Sequence, residues 1–419
     1  MEEVPLCEVP GWRRSPALVL SVLLVLHVLA QADRNLLVAF SPQITSDLGI
    51  GNARYGLLTG AVWVVSFGAM AILMGALADR HARPRVIAGG LAIWSVCTTL
   101  SGYAETYPQM VLARLLVASG EAALVPASVS LLVELYPLRQ RAGAIGIFFT
   151  GIPLGIGASF LLAGTAGRVL DWRDLFHLLG LAGLILAFPL AFCSERRDAA
   201  AAPRGARPLQ QIRAVAETLA GNPALVRVIA GFVLVHFVFV GFSFLQLWLV
   251  RERGMEASLS ATRIGALQLV FGLAGSVGGG LLADRLAMRL RGGIPAVISL
   301  LIAIGLPLML LCRLSTPLSP LFYAGLCASF FLPMAVYGPA NALVQSFTPP
   351  EMRSTVTGFA MLAINLFAIS LGNFMAGTVI DEMLAAGFSH PYTAALLATD
   401  AVAGLALPLF LSLRIRKAA

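Results

Sequence analysis

The sequence predicts an all-α membrane protein whose twelve transmembrane helices form two pseudo-symmetric six-helix bundles. Three observations carry this expectation. First, 58% of the 419 residues are hydrophobic and only 12% are charged, against about 45–50% and about 25% in soluble domains. Second, apolar runs long enough to cross a hydrocarbon core of about 30 Å as helices recur along the whole chain. They fall near 17–41, 55–78, 86–103, 108–135, 142–166, 175–193, 224–250, 262–283, 294–312, 319–346, 355–379 and 391–413. Closed barrels, the other permitted spanning solution, need short alternating strands, and these runs are long and continuously apolar. Third, the chain repeats itself. Gly75-Ala-Leu-Ala-Asp79-Arg80 returns as Gly280-Leu-Leu-Ala-Asp284-Arg285 after 205 positions, and Pro137, Arg141 and Gly146 return as Pro349, Arg353 and Gly358 after 212. Two six-helix halves, 1–194 and 223–419, joined by a polar linker at 195–222, account for both offsets.

Arginine placement orients the spans. With both termini cytoplasmic, the inner segments hold Arg13, Arg14, Arg80, Arg83, Arg85, Arg139, Arg141, Arg285, Arg289, Arg291, Arg353 and the Arg414–Lys417 tail. The linker adds Arg196, Arg197, Arg204, Arg207 and Arg213, while the outer segments keep Arg54, Arg168, Arg173, Arg251, Arg253, Arg263 and Arg313. That asymmetry follows the positive-inside rule. The net charge of +8 therefore belongs to membrane topology, and no nucleic-acid partner is expected. With no long tail and no organelle signal, the expected location is a bacterial inner membrane. Arg13-Arg14, the apolar run after Ala17 and Ala30-Gln31-Ala32 have the outline of a signal peptide. Cleavage there would leave an odd number of spans, so the segment is read as an uncleaved first helix.

Catalysis is not expected. Cys7, Cys97, Cys193, Cys312 and Cys327 form no CxxC and no Cys/His cluster, so neither a disulfide framework nor a metal site is predicted. The glycines of Gly275–Gly280 lie inside an apolar helix and follow no strand, which excludes a nucleotide fingerprint.

The chemistry lies in ionisable groups placed in apolar runs, where each costs roughly 2.5–3.5 kcal/mol on insertion scales. Asp33 and Arg34 sit in the first span, Arg114 and Glu121 in the fourth. Arg114 and Glu121 are two turns apart on one helical face and can point into one cavity. Asp33 and Arg34 diverge by about 100° around their helix. The expectation is Asp33 inward, paired with an arginine, and Arg34 turned toward a neighbouring helix. His27, Gln31 and Asn35 continue a polar stripe on the first span. The second half shows no membrane carboxylate in this reading. Its expected lining groups are His236, Gln246, Gln268, Tyr337, Asn341 and Asn365 among Phe237, Phe239, Phe242, Phe244, Phe330 and Phe331. Glycines in the fifth and eighth spans permit close helix contact, and Pro153 permits a kink.

Gly75–Arg85 (GALADRHARPR) resembles the major facilitator signature between the second and third helices, and Asp171–Phe176 (DWRDLF) the element before the sixth. Within that superfamily the first half looks like the Spinster family of lysolipid and sphingolipid transporters. The matching residues are Asp33-Arg34, Trp94-Ser95, Arg114 with Gly120-Glu121-Ala122 and Pro126, and Ile152-Pro153-Leu154-Gly155-Ile156-Gly157. The second half matches through general facilitator features only.

The resemblance implies a major facilitator fold with a midplane substrate site between parallel halves. It also implies proton coupling by Asp33 and Glu121. Burial favours a neutral carboxyl and a neighbouring guanidinium favours the charged one. Either acid is therefore a candidate to trade its proton for an arginine's attention, with Arg34 and Arg114 holding an anionic headgroup beside His236, Tyr337, Asn341 and Asn365. Asp79 is expected to meet the N-terminus of a helix from the other half, with Arg80, Arg83, Arg139, Arg141, Asp284 and Arg285 completing an inner gate. The expected activity is alternating-access transport of a small amphiphilic lipid by a monomer, with H⁺ as coupling ion, no cofactor, and membrane lipids and protons as partners. The alternative cargo is a hydrophobic drug or a small organic anion.

Overall fold

A computed structural model describes residues 15–193 and 208–413, without the side chains of Ile72, Ala76, Asp79, Arg80, Ser354 and residues 208–212. Arg13, Arg14, the linker arginines Arg196, Arg197, Arg204 and Arg207, and the Arg414–Lys417 tail lie outside the described residues.

The described residues form twelve long helices, close to the expected spans. The first half comprises α1 (Pro16–Ala39), α2 (Asn52–Gly75, continuing to Arg80), α3 (Arg83–Gly102), α4 (Tyr107–Leu135), α5 (Leu138–Arg168) and α6 (Trp172–Ala191). The second comprises α7 (Pro223–Glu252), α8 (Ala257–Ala287), α9 (Gly293–Leu314), α10 (Pro320–Ser346), α11 (Thr355–Ala385) and α12 (Pro391–Leu411). Eleven of these are long and apolar enough to cross a membrane. The exception, α3, has 20 residues, and its Arg83, Arg85, Ser95, Thr98, Thr99 and Ser101 lower its hydropathy. Within the expected linker, Pro208–Ala220 is a helix, whose Val215 is buried.

Local chemistry interrupts several of the spans. Proline lacks an N–H and its ring crowds the carbonyl four residues earlier. Pro126 accordingly interrupts α4 between Glu121 and Leu124, and Pro153 accompanies the break of α5 at Thr150. Glu121 thus sits on the last helical turn before a break. In the second half, π-helical stretches occupy Trp248–Glu252, Gln268–Gly272 and Ile364–Gly372. Such stretches commonly mark functional positions.

The cores show how the halves meet. One buried cluster lies within the first half (Leu26, Trp94, Leu131, Phe148) and one within the second (Phe232, Ile302, Val336, Phe410). A third joins both halves through Phe40, Tyr55, Phe160, Phe244 and Trp248. It lies toward the face opposite Pro16 and the linker helix, here called the distal face. Tyr55 Oη donates to the Ser243 carbonyl at 2.8 Å, Arg251 Nη2 to Thr45 Oγ1 at 2.6 Å, and Arg168 Nε to Ser258 Oγ at 3.2 Å, all between halves. Backbones touch there as well. A Cβ on Gly56 would lie 2.1 Å from the Asn373 carbonyl oxygen, and one on Gly265 would lie 2.8 Å from that of Gly157. Toward the linker face the same helices separate, and a Cβ on Gly143, Gly146, Gly278 or Gly358 would meet nothing within 4 Å. The distal side is shut and the linker side is open.

Candidate functional site

Between the halves lies a cavity of about 640 Å³, within the range of small-molecule sites. Its first-half wall carries Gln31, Arg34, Asn35, Trp63 and Arg114, and its second-half wall carries His236, Phe239, Phe242, Tyr337 and Asn365. Gly143, Gly146, Ser276 and Val277 line its linker side.

The first-half wall is built by close helix crossings. Gly90 of α3 and Gly120 of α4 lie back to back, since a Cβ on Gly90 would fall 2.6 Å from the Gly120 carbonyl oxygen. This crossing presses Trp94 into the core and fixes Glu121 beside it. Asp33 is 1% exposed. Its Oδ1 accepts from Arg114 Nη1 at 3.0 Å and its Oδ2 from Thr98 Oγ1 at 2.6 Å. Glu121, also buried, accepts at Oε2 from Trp63 Nε1 at 2.8 Å, while its Oε1 has no hydrogen-bond partner. Arg34 lays its guanidinium over the Trp63 ring, 3.6 Å from the centroid. The indole therefore has a cation on its face and a carboxylate at its N–H.

The expected pairing of Asp33 with an arginine is present, but the two neighbours on α1 exchange places. Arg34, besides reaching α2, is the one that lines the cavity, whereas Asp33 is sealed between α1, α3 and α4. The reason is local: Thr98 and Arg114 give Asp33 two buried donors, so the carboxylate turns inward to protein. Arg114 reaches both the pair and the cavity. Among the described residues Arg34 has no carboxylate within ion-pair distance, and the Glu121 carboxylate acts on it from the edge of the same indole. On α1, His27 Nδ1 donates to the Phe148 carbonyl at 2.9 Å, and Gln31 Nε2 lies 3.5 Å from His27 Nε2.

In the second half, His236 donates from Nδ1 to the Phe232 carbonyl at 2.7 Å, stacks on Phe239 and meets Tyr337 edge-on. Asn365 lines the cavity and donates to the Met361 carbonyl at 2.9 Å. Asn341 does not line it; one turn beyond Tyr337, its amide folds back onto the Tyr337 carbonyl at 3.2 Å. Gln246 is buried against α8, donating to the Ala257 carbonyl. Gln268 opens on a small side pocket with Phe330.

One expectation is overturned outright: the second half does hold a membrane carboxylate. Asp400 of α12 is fully buried and accepts from Arg313 Nε at 3.0 Å. Arg313, read from sequence as an outer-loop charge, lies inside α9, which runs on to Leu314. Its guanidinium sits 5.3 Å from the Trp248 ring centroid.

The described members of the expected inner gate lie toward the open side. Arg83 is buried in an ion pair with Glu134 of its own half. Arg141 donates from Nε to the Tyr136 carbonyl at 3.0 Å. Arg139, Asp284 and Arg285 are exposed, and the side chains of Asp79 and Arg80 lie outside the described part. Sequence reasoning missed Trp63, Thr98, Asp400 and Arg313 as partners. A buried indole N–H needs an acceptor, which is the one signal that pointed to Trp63.

Comparison with known proteins agrees with this architecture. The family model described as the Major Facilitator Superfamily matches residues 23–373. The chain is 28% identical over 386 residues to an MFS-type efflux pump of Mycolicibacterium smegmatis, covering 89% of this chain and 86% of that one. It is 31% identical to the 3-(3-hydroxy-phenyl)propionate transporter of Escherichia coli, covering 84% and 85%. It is 24% identical to Protein spinster of Drosophila melanogaster, covering 88% of this chain and 63% of the fly protein. Among solved structures, a bacterial homolog of the human lysosomal transporter Spinster, inward-facing and unoccupied, superposes with a TM-score of 0.79. Its sequence identity is 22%, with 97% of this chain and 99% of that one covered. The chain belongs to the Major Facilitator Superfamily of membrane transporters.

Proposed function

We propose that the chain is a proton-coupled secondary carrier that moves lysolipid- or sphingolipid-like amphiphiles by alternating access. The observation that supports this most directly is the cavity's division. One wall carries an arginine without a direct ion pair, Arg34, stacked on Trp63, and the other is an aromatic surface of His236, Phe239, Phe242 and Tyr337. An anionic headgroup fits the first wall and an apolar chain the second. With the arginine-rich linker face in the cytoplasm of a bacterial inner membrane, the described state is inward-open.

The four ionisable groups of the first half supply the coupling. Asp33 neutralises Arg114, and Glu121 sits against Trp63 with one oxygen unpartnered. Loss or gain of a proton on either acid changes the net charge facing Arg34 and Arg114, and with it their hold on an anion. Opposite charges this close interact far more strongly in a low-dielectric site than in water.

A second reading has its own support: a small aryl carboxylate as cargo, since the E. coli relative bears that substrate in its name at 31% identity. The same Arg34 would hold the carboxylate and the His236–Phe239–Tyr337 cluster the ring. Proteoliposome uptake under an imposed pH gradient separates the two. Wild type, D33N, R114A and E121Q are compared with labelled lysophospholipid and with a labelled arylpropionate. Gradient-driven lysophospholipid uptake that D33N or E121Q uncouples is the expected result. Arylpropionate uptake with no lysophospholipid uptake would replace the cargo, and gradient-independent uptake would remove the proton.

A further inference from the structure

The distal seal contains an acid whose partners all come from the opposite bundle. Helix α2 begins at Asn52 after Gly51, with no side chain of its own capping it. The first N–H groups of such a helix lack intrahelical acceptors. Asp381, at the distal end of α11, supplies them: its Oδ1 accepts from Asn52 N at 2.9 Å and Asn52 Nδ2 at 2.8 Å, and its Oδ2 from Ala53 N at 2.8 Å. Gly51 makes the approach possible, because a Cβ there would lie 2.8 Å from Asp381 Oδ2. Asn52 is held further by Tyr392 of α12, whose hydroxyl donates to Asn52 Oδ1 at 2.8 Å and accepts from Arg251 Nη1 at 3.1 Å.

The matching helix across the pseudo-twofold is capped differently. At the start of α8, Glu256 accepts from Ser258 N at 2.9 Å and Leu259 N at 2.8 Å, within its own half. Parting the halves would leave α8 capped. It would strip α2 of its cap and leave a half-buried carboxylate with neither the N-terminal dipole nor three donors.

We infer that Asp381 is the latch of the distal gate, a carboxylate that caps α2 only while that gate is shut and so biases the transporter toward the linker-open state. This rests on the alternating-access reading above but not on the identity of the cargo. It places on the distal face the acid-to-helix contact that the sequence leads one to expect of Asp79 on the other.

Hydrogen–deuterium exchange on the full chain in proteoliposomes, without cargo, tests it. In D381N, amides at 50–56 should exchange faster, and those at 139–147 and 276–282 should become protected as the linker face closes. The expected change is about two- to fivefold, the scale of a charge at a helix N-terminus. Y392F, which removes one hydroxyl, should shift both faces the same way by less, and it stands in if D381N does not fold. E256Q should loosen only 257–260. Faster exchange confined to 50–56, with the linker face unchanged in D381N and Y392F, would reduce Asp381 to a local cap and overturn the latch. Because exchange reads gate position without cargo, absent lysophospholipid uptake would sink the cargo assignment alone.

Discussion

Each half of the molecule buries an arginine–carboxylate pair, and the two pairs are nearly identical by distance and burial. Arg114–Asp33 and Arg313–Asp400 both measure 3.0 Å, with side chains no more than 5% exposed. Their surroundings differ. Arg114 borders the cavity, and Arg34 and Glu121 lie within reach as alternative partners. Both oxygens of Asp33 are bonded. Arg313 and Asp400 are closed off from the cavity, and Arg313 Nη1 and Asp400 Oδ1 have no partner. Arg313 is wedged beside Trp248, while its carbonyl accepts from Arg253. The first pair borders the cavity with further ionisable groups beside it, whereas the second is enclosed. Equal separation does not make the two pairs equivalent, because only one of them borders the cavity.

The sharpest way to break this comparison is to remove one member of the enclosed pair. R313L strands a fully buried carboxylate and should cost about 3–5 kcal/mol, whereas replacing both residues by leucine should be near neutral. Thermal unfolding in detergent measures both, and the double variant should keep wild-type uptake. A double variant that folds and loses pH-driven uptake would show that the second pair works too.

An intermediate effect is expected at Trp63. W63L removes the ring beneath Arg34, a contact of roughly 0.5–2 kcal/mol, and should raise the half-saturating cargo concentration by about two- to thirtyfold. W63F should raise it less because it keeps a ring. Equal values for the two would exclude stacking as Arg34's support.

The smallest effect lies outside the membrane. Asp47 accepts from Trp172 Nε1 at 2.8 Å and from Arg173 Nη1 at 2.9 Å, which together hold its carboxyl below the ordinary aspartate range, the indole contact contributing most. A depressed carboxylate stabilises the fold above its unfolded-state range, and that contribution fades as pH falls through the lowered value. D47N should lower stability slightly at neutral pH, and the gap to wild type should close as pH falls through the lowered value, which flattens the acid limb. An unaltered acid limb would show the contact to be worth nothing, as for many exposed pairs.

What could be read from sequence follows from how far each signal travels along the chain. The spans were legible because bilayer thickness fixes their length, and the halves because Gly75–Arg80 repeats at Gly280–Arg285. Pairing of Asp33 with an arginine was legible because a charge in hydrocarbon demands a partner. Which of Asp33 and Arg34 faces the cavity was not, since a donor such as Thr98 is an ordinary helix residue until folding places it 2.6 Å away. Arg313, one residue past the 294–312 run, reads as a loop charge although α9 runs on to Leu314, and Asp400, inside the 391–413 run, has no charged neighbour in sequence to announce its partner. The Asp381–Asn52 contact joins positions 329 apart, beyond the reach of any periodicity.

The place of Trp63 also makes the site visible to light. Of the five tryptophans, Trp94, Trp172 and Trp248 are fully buried away from the cavity, so their emission forms a steady background. Trp63 alone among the described indoles lines the cavity, with a guanidinium on its face and a carboxylate at its edge. An excited indole shifts its colour with nearby charge. The unlabelled transporter thus carries an intrinsic optical probe of its own occupancy.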